Sequence, residues 1–148
     1  MIVNTPQQTF RAALGQFFVK ETSTENLAAA RSLIERSETA GADLLVLPEC
    51  IIARKLGMPD WGQKHAEPLD GPFVSGLREA TRGRRVTVVC TVQAKIANES
   101  RYANDLLVIQ NGELRLTYQK IHLYDAFRGK ESSYAAPGDV LPQVLQIG

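Results

Sequence analysis

"ADLLVLPECII", Ala42 to Ile52, runs four aliphatic residues into Pro48 and then sets Glu49 and Cys50 at their end. Leu44, Leu45, Val46 and Leu47 read as a strand entering a core, the stretch 42–49 being the second strand of the chain, and Pro48 and Glu49 stop it. The segment that decides the fold therefore also places a carboxylate and a thiol at the mouth of the most hydrophobic part of the chain. Whether those two groups are partners is the first functional question the sequence poses.

Upstream, "TFRAALGQFFV" (Thr9 to Val19) is apolar and aromatic enough for a first strand. Thr22 with Glu25 three residues on has capping-box spacing, so a helix follows through Leu27, Ala30, Leu33, Ile34 and Ser37, and Gly41 ends it. Downstream, a loop containing Gly57, Pro59, Trp61 and Gly62 is long enough to imply a functional or covering role. Asp70-Gly71-Pro72 then opens a second helix, with Asp70 as its cap, Phe73, Val74, Leu77 and Ala80 as its apolar stripe and Gly83 as its stop.

"VTVVCTVQAKI", Val86 to Ile96, is β-branched and nearly continuous, the pattern of a strand covered on both faces, with Cys90 as a small buried hydrophobe. Two further apolar runs flank Asn111-Gly112, a strong hairpin signal. The order strand, helix, strand, helix, strand, hairpin predicts an α/β fold, a mixed sheet with both helices on one face. The other face is then apolar and needs a cover.

The chain has 148 residues, the size of one domain, with 44% hydrophobic and 22% charged residues and a net charge of +1. That balance gives no electrostatic case for nucleic acid or an acidic membrane, and the cluster Arg82, Arg84 and Arg85 reads as the solvated end of a helix. No apolar run reaches the roughly 20 residues a membrane span needs, and no secretory pattern opens the chain. Cys50 and Cys90 make neither a disulfide framework nor a metal-ligand set, so the expected setting is reducing and cytoplasmic, with no metal and no cofactor.

Two charged residues stand out by parity. Leu114, Leu116, Tyr118 and Lys120 fall on one face of the hairpin's second strand, and Leu45, Leu47 and Glu49 on one face of the earlier strand. A Lys and a Glu, each ending an apolar face, could meet at one rim of the sheet. Each alone is more commonly an exposed loop or strand-end residue.

"LLVLPE" ending in Glu49 and "YQKIHLYDAF" containing Lys120 resemble the two N-terminal catalytic motifs of the nitrilase, or carbon–nitrogen hydrolase, superfamily. "RYANDLLVI", the "PGD" of Pro137 to Asp139 and an acid at Glu131 fit the same pattern, which runs from about Arg11 to Gly148. "KIHLYDAF" is similar to the branch of bacterial amidases acting on deaminated glutathione. The resemblance implies a four-layer αββα sandwich, of which this chain supplies one sheet and two helices. It implies a Glu–Lys–Cys triad that hydrolyses a linear amide through a thioester with release of ammonia. Glu49 would be the general base, Lys120 an oxyanion stabiliser, and Glu131 a supporting, substrate-positioning acid. His122, beside the motif, is expected to be structural or exposed.

In this family the nucleophile lies in a stretch resembling "CYDLRFPE", which these 148 residues do not contain. Neighbours at a strand end point in different directions, so Cys50 is expected to be Glu49's neighbour and not its partner. The chain on this reading is the N-terminal part of a single domain over 1–148, inactive alone, whose absent C-terminal half would bring the nucleophile and cover the open face. The expected partners are a small-molecule amide and either a second copy or that missing half. The alternative is a non-catalytic remnant or half-domain that pairs with another chain. Arg128 and Lys130 could attract an acidic substrate, or form a solvated pair.

Overall fold

The computed structural model describes residues 9–127 and 129–147, and its sheet grows in chain order. Strands β1 (Ala12–Leu14), β2 (Leu44–Val46) and β3 (Thr87–Lys95) are parallel, and β4 (Tyr102–Gln110) and β5 (Glu113–Gln119) add antiparallel. A two-residue strand, β6 (Ala135–Ala136), pairs with the start of β4. The crossovers carry α1 (Ser23–Thr39), the single-turn α2 (Trp61–Lys64) and α3 (Pro72–Thr81). Two successive crossovers of the same hand between neighbouring parallel strands place α1 and α3 on one face of the sheet. There they pack on Leu45, Val88, Cys90, Val92, Leu107 and Ile109, all fully buried.

Several local expectations hold. Thr22 is extended and its Oγ1 accepts the Glu25 N–H at 3.4 Å, and Gly41 ends α1 with φ of 68°. Asn111 (φ 49°) and Gly112 (φ 80°) both adopt the left-handed conformation that a two-residue hairpin turn demands. His122 is exposed, and Arg82 is solvated at the end of α3 in an ion pair with Glu79.

Others are corrected. The first strand is three residues rather than Thr9 to Val19: it leaves the ladder at Gly15, after which Phe17 and Val19 reach the core from a loop. The second spans Leu44–Val46 instead of 42–49, because Pro48 has no N–H to extend the ladder. Asp70 does not cap α3. Gly71 occupies that position, and the Phe73 N–H is taken at 2.8 Å by the carboxylate of Glu67, which backbone bonds to Gln93 and Lys95 hold beside the helix start. The long loop is not wholly irregular, since α2 lies inside it.

The hairpin departs most instructively from simple parity. Ile109 pairs with Leu114 but Val108 pairs with Leu116, so β5 carries one extra residue at this point. Leu114 consequently packs on the helix-side core, while Leu116 and Tyr118 lie opposite Val108 and Leu106 on the second face. That second face also carries Val46, Val89 and Thr91, all half-buried, so β3 is fully covered on one face only. Near the β1 edge, Leu14 and Phe18 are 84% and 72% exposed.

Candidate active site

Lys120 follows the end of β5, yet its N–H still donates to the Asn104 carbonyl at 2.9 Å, so the ladder continues one residue further. Its side chain therefore keeps the alternation of β5 and lies opposite Asn104 on the second face. Glu49 arrives by another route than parity. Leu45 and Leu47 face the helices, while Glu49 lies beyond Pro48 in a bend where strand alternation no longer applies. The two residues do meet: Lys120 Nζ is 3.1 Å from Glu49 Oε1.

Glu131, at the start of a short 3₁₀ turn (Glu131–Ser133), closes the other side of the ammonium. Its oxygens stand 3.0 and 3.2 Å from Lys120 Nζ. Asn104, which sequence reasoning did not single out as a site residue, links the two acids. Its side-chain NH₂ donates to Glu49 Oε1 at 2.8 Å and to Glu131 Oε1 at 3.2 Å. A signal was present, because an Asn inside a strand is unusual unless its polar atoms have a task.

The electrostatics follow from this geometry. Burial alone would raise the Glu131 carboxyl, but the Tyr124 N–H at 2.6 Å, Lys120 and Asn104 outweigh it and hold the acid below its ordinary value. Burial would lower the Lys120 ammonium, but hydrogen bonds to Glu131 and Glu49 hold it above its ordinary value. Lys120 and Glu131 are thus held as an ion pair near neutrality, with Glu131 the more sheltered of the two acids at 11% side-chain exposure and Glu49 the more open at 60%.

The loop that brings Glu49 here has no ladder of its own, so its backbone must be satisfied otherwise. Two buried side-chain amides do this. Gln93 accepts the Ile52 N–H at 3.1 Å and donates to the carbonyls of Cys50 and Ala53 at 3.1 and 3.0 Å. Asn26 donates to the Ile52 carbonyl at 2.9 Å and also bonds both backbone groups of Lys20. Cys50 takes the left-handed conformation, φ 56°, with its N–H on Thr91 Oγ1.

Glu49, Lys120 and Glu131 line a cleft of about 540 Å³ together with Cys50, Arg54 and Trp61. Cys50 shares the cleft, but its thiol is not activated: burial, reinforced by the neighbouring Glu49 carboxylate, pushes it up to about 12 against a smaller opposing effect of Tyr102. Cys90 lies in the core, and burial raises it likewise to about 12. Lys130 is exposed, and Arg128 lies outside the described residues. No described helix is long and apolar enough to cross a membrane.

The sequence model of the carbon–nitrogen hydrolase family matches residues 11–148. The chain belongs to the carbon–nitrogen hydrolase family. It is 31% identical over 135 residues to a deaminated glutathione amidase of Escherichia coli O157:H7, covering 91% of this chain and 51% of that protein. A hydrolase of Mycobacterium tuberculosis is 35% identical over 131 residues, covering 86% and 45%. Among solved structures, the NitN amidase from Neterenkonia sp. AN1 superposes with a TM-score of 0.77 at 25% identity, covering 95% of this chain and 54% of that one. The chain spans about half the length of the curated relatives it matches. These likenesses agree with the sheet described above: a nitrilase-type fold in which this chain forms one mixed sheet covered by two helices.

Proposed function

We propose that Glu49, Lys120 and Glu131 are the base and charge-stabilising part of an amidase site, acting with a cysteine that lies outside residues 1–148. The observation that carries this reading is the Lys120 ammonium clasped by two carboxylates at the wall of an open cleft. The attacking thiol gives its proton to Glu49, the most accessible of the three, and forms a tetrahedral adduct on the amide carbon. Lys120 faces the oxygen that becomes negative. The C–N bond breaks, ammonia leaves with a proton from Glu49, and a thioester remains. Glu49 then takes a proton from the water that attacks the thioester carbon. The C–S bond breaks, the carboxylate product is released and the proton passes from Glu49 back to the leaving thiolate. Glu131 and Asn104 keep Lys120 charged and in place.

The substrate class is a linear amide, either deaminated glutathione or a similar ω-amide. Support comes from the deaminated glutathione amidase above and from ω-amidases, one of Mus musculus being 29% identical over 138 residues. Cys50 is not assigned as the nucleophile, because burial and the neighbouring Glu49 carboxylate push its thiol up to about 12, against the thiolate form.

Purified residues 1–148 should release no ammonia from deaminated glutathione, and thiol-dependent release would overturn the placement of the nucleophile. A reading frame that continues past Gly148 into a cysteine-bearing strand and turn provides the complementary test. The longer product should release ammonia, and Lys120→Met in it should lower kcat by about a thousandfold. Full activity in that variant would remove Lys120 from the mechanism. A second reading, a non-catalytic half-domain that pairs with another chain, is favoured by the half-buried second face of the sheet. A monodisperse monomer in light scattering would speak against it.

A further inference from the structure

We propose that Arg54 is the specificity residue of the cleft, receiving a carboxylate at the far end of the amide substrate. This rests on the amidase reading above and names the kind of amide. The inference comes from the charges that line the cleft. Lys120 is shared between Glu49 and Glu131, so that end carries one more carboxylate than ammonium. Lys55 is already engaged, with Glu21 at 2.8 Å and the Trp61 ring 4.8 Å from its Nζ. Burial raises Cys50, Tyr102 and Tyr134 above their ordinary values, so none of these three lining groups brings charge near pH 7. Arg54 remains: it is exposed, lines the cleft, and its guanidinium makes no hydrogen bond or ion pair among the described residues.

Its placement is fixed from below. The Arg54 N–H donates to the Lys20 carbonyl at 2.9 Å, and the Ala53 carbonyl before it is held by the buried Gln93 amide. The cleft is therefore polarised, with excess negative charge around Lys120 and an uncompensated guanidinium elsewhere on its wall. A substrate bearing one carboxylate is repelled from Glu49 and Glu131 and drawn to Arg54, which leaves its neutral amide end for Lys120. A guanidinium also matches a carboxylate in shape, offering two parallel N–H donors. Orientation, and not only affinity, follows from this arrangement.

The experiment is a saturation-transfer NMR titration of residues 1–148 with two amides of the same carbon-chain length, 4-carbamoylbutanoate and the neutral pentanamide. It needs no turnover and no nucleophile. Wild type should bind the acid at least about tenfold more tightly than pentanamide. Arg54→Gln should abolish that preference and leave pentanamide affinity within about twofold, while Arg54→Lys should retain part of it. Equal binding of the two amides by wild type, or an undiminished preference in Arg54→Gln, would overturn the role of Arg54 while leaving the cleft an amide site. Failure of both amides to bind would overturn the role of Arg54 and the reading that the cleft within residues 1–148 holds an amide, while ammonia release by the longer product tests the amidase reading separately.

Discussion

Gln93→Leu is expected to destabilise the fold by about 4 kcal/mol, the largest effect of any single change at the site. The side chain is almost fully buried and serves three backbone groups at once, the Ile52 N–H and the carbonyls of Cys50 and Ala53. A leucine of similar volume fills the space and satisfies none of them, and each buried orphan costs about 1–3 kcal/mol. Partial relief by water or loop movement keeps the total below the simple sum. With a slope of about 2 kcal/mol per molar urea, the midpoint of denaturation should fall by about 2 M. A loss below about 1 kcal/mol would mean that the loop finds other partners and that the amide is not its anchor. The same change loosens Cys50 to Arg54, so the carboxylate preference measured by titration should weaken with it.

Glu131→Ala is expected to cost about 3 kcal/mol. It removes the more sheltered of the two acids around Lys120 and leaves the Tyr124 N–H without its acceptor. Glu49, largely exposed, compensates poorly. The sign of the pH dependence follows from the shifts. Glu131 is held below its ordinary 4.5, so its contribution is full above 4.5 and is lost as pH falls through the lowered folded value. Lys120 is held above its ordinary 10.5, so its side of the pair persists below 10.5 and is lost as pH rises beyond the raised value. Urea denaturation at about pH 7 should therefore show the full gap between wild type and Glu131→Ala, and at about pH 2 the gap should shrink markedly. An equal gap at both would show that the side chain acts by packing and not by charge.

Much of the fold was legible because local chemistry and global arrangement agree. Thr22 with Glu25, Gly41, and Asn111-Gly112 each announce a cap or a turn whose backbone angles the structure then displays. The pairing of Glu49 with Lys120 was legible only in part. Strand parity put Lys120 on the correct rim for a reason that omitted the extra residue in β5, and it assigned Glu49 to a face that belongs to Leu45 and Leu47. Both acids depend on irregular backbone, one in a bend and one at a 3₁₀ turn, where periodicity carries no information. The anchoring by Asn26 and Gln93, and the bridging by Asn104, were illegible because they join positions far apart in the chain. The cap of α3 was misread for a similar reason, since a carboxylate six residues upstream displaced the adjacent one.

The extra residue of β5 gives the hairpin an arithmetic of its own. In an uninterrupted ladder continuing from Leu114 opposite Ile109, Leu116 would face Leu107, and Lys120 would turn toward the helices. One added residue at Arg115 re-addresses everything after it, and Lys120 comes to stand opposite Asn104. Insertions and deletions between Gly112 and Lys120 therefore act modulo two. Losing a single codon there inverts the address of the lysine, whereas losing two shortens the strand but preserves it. The reactive end of this sheet is set by a count of residues as much as by their identity.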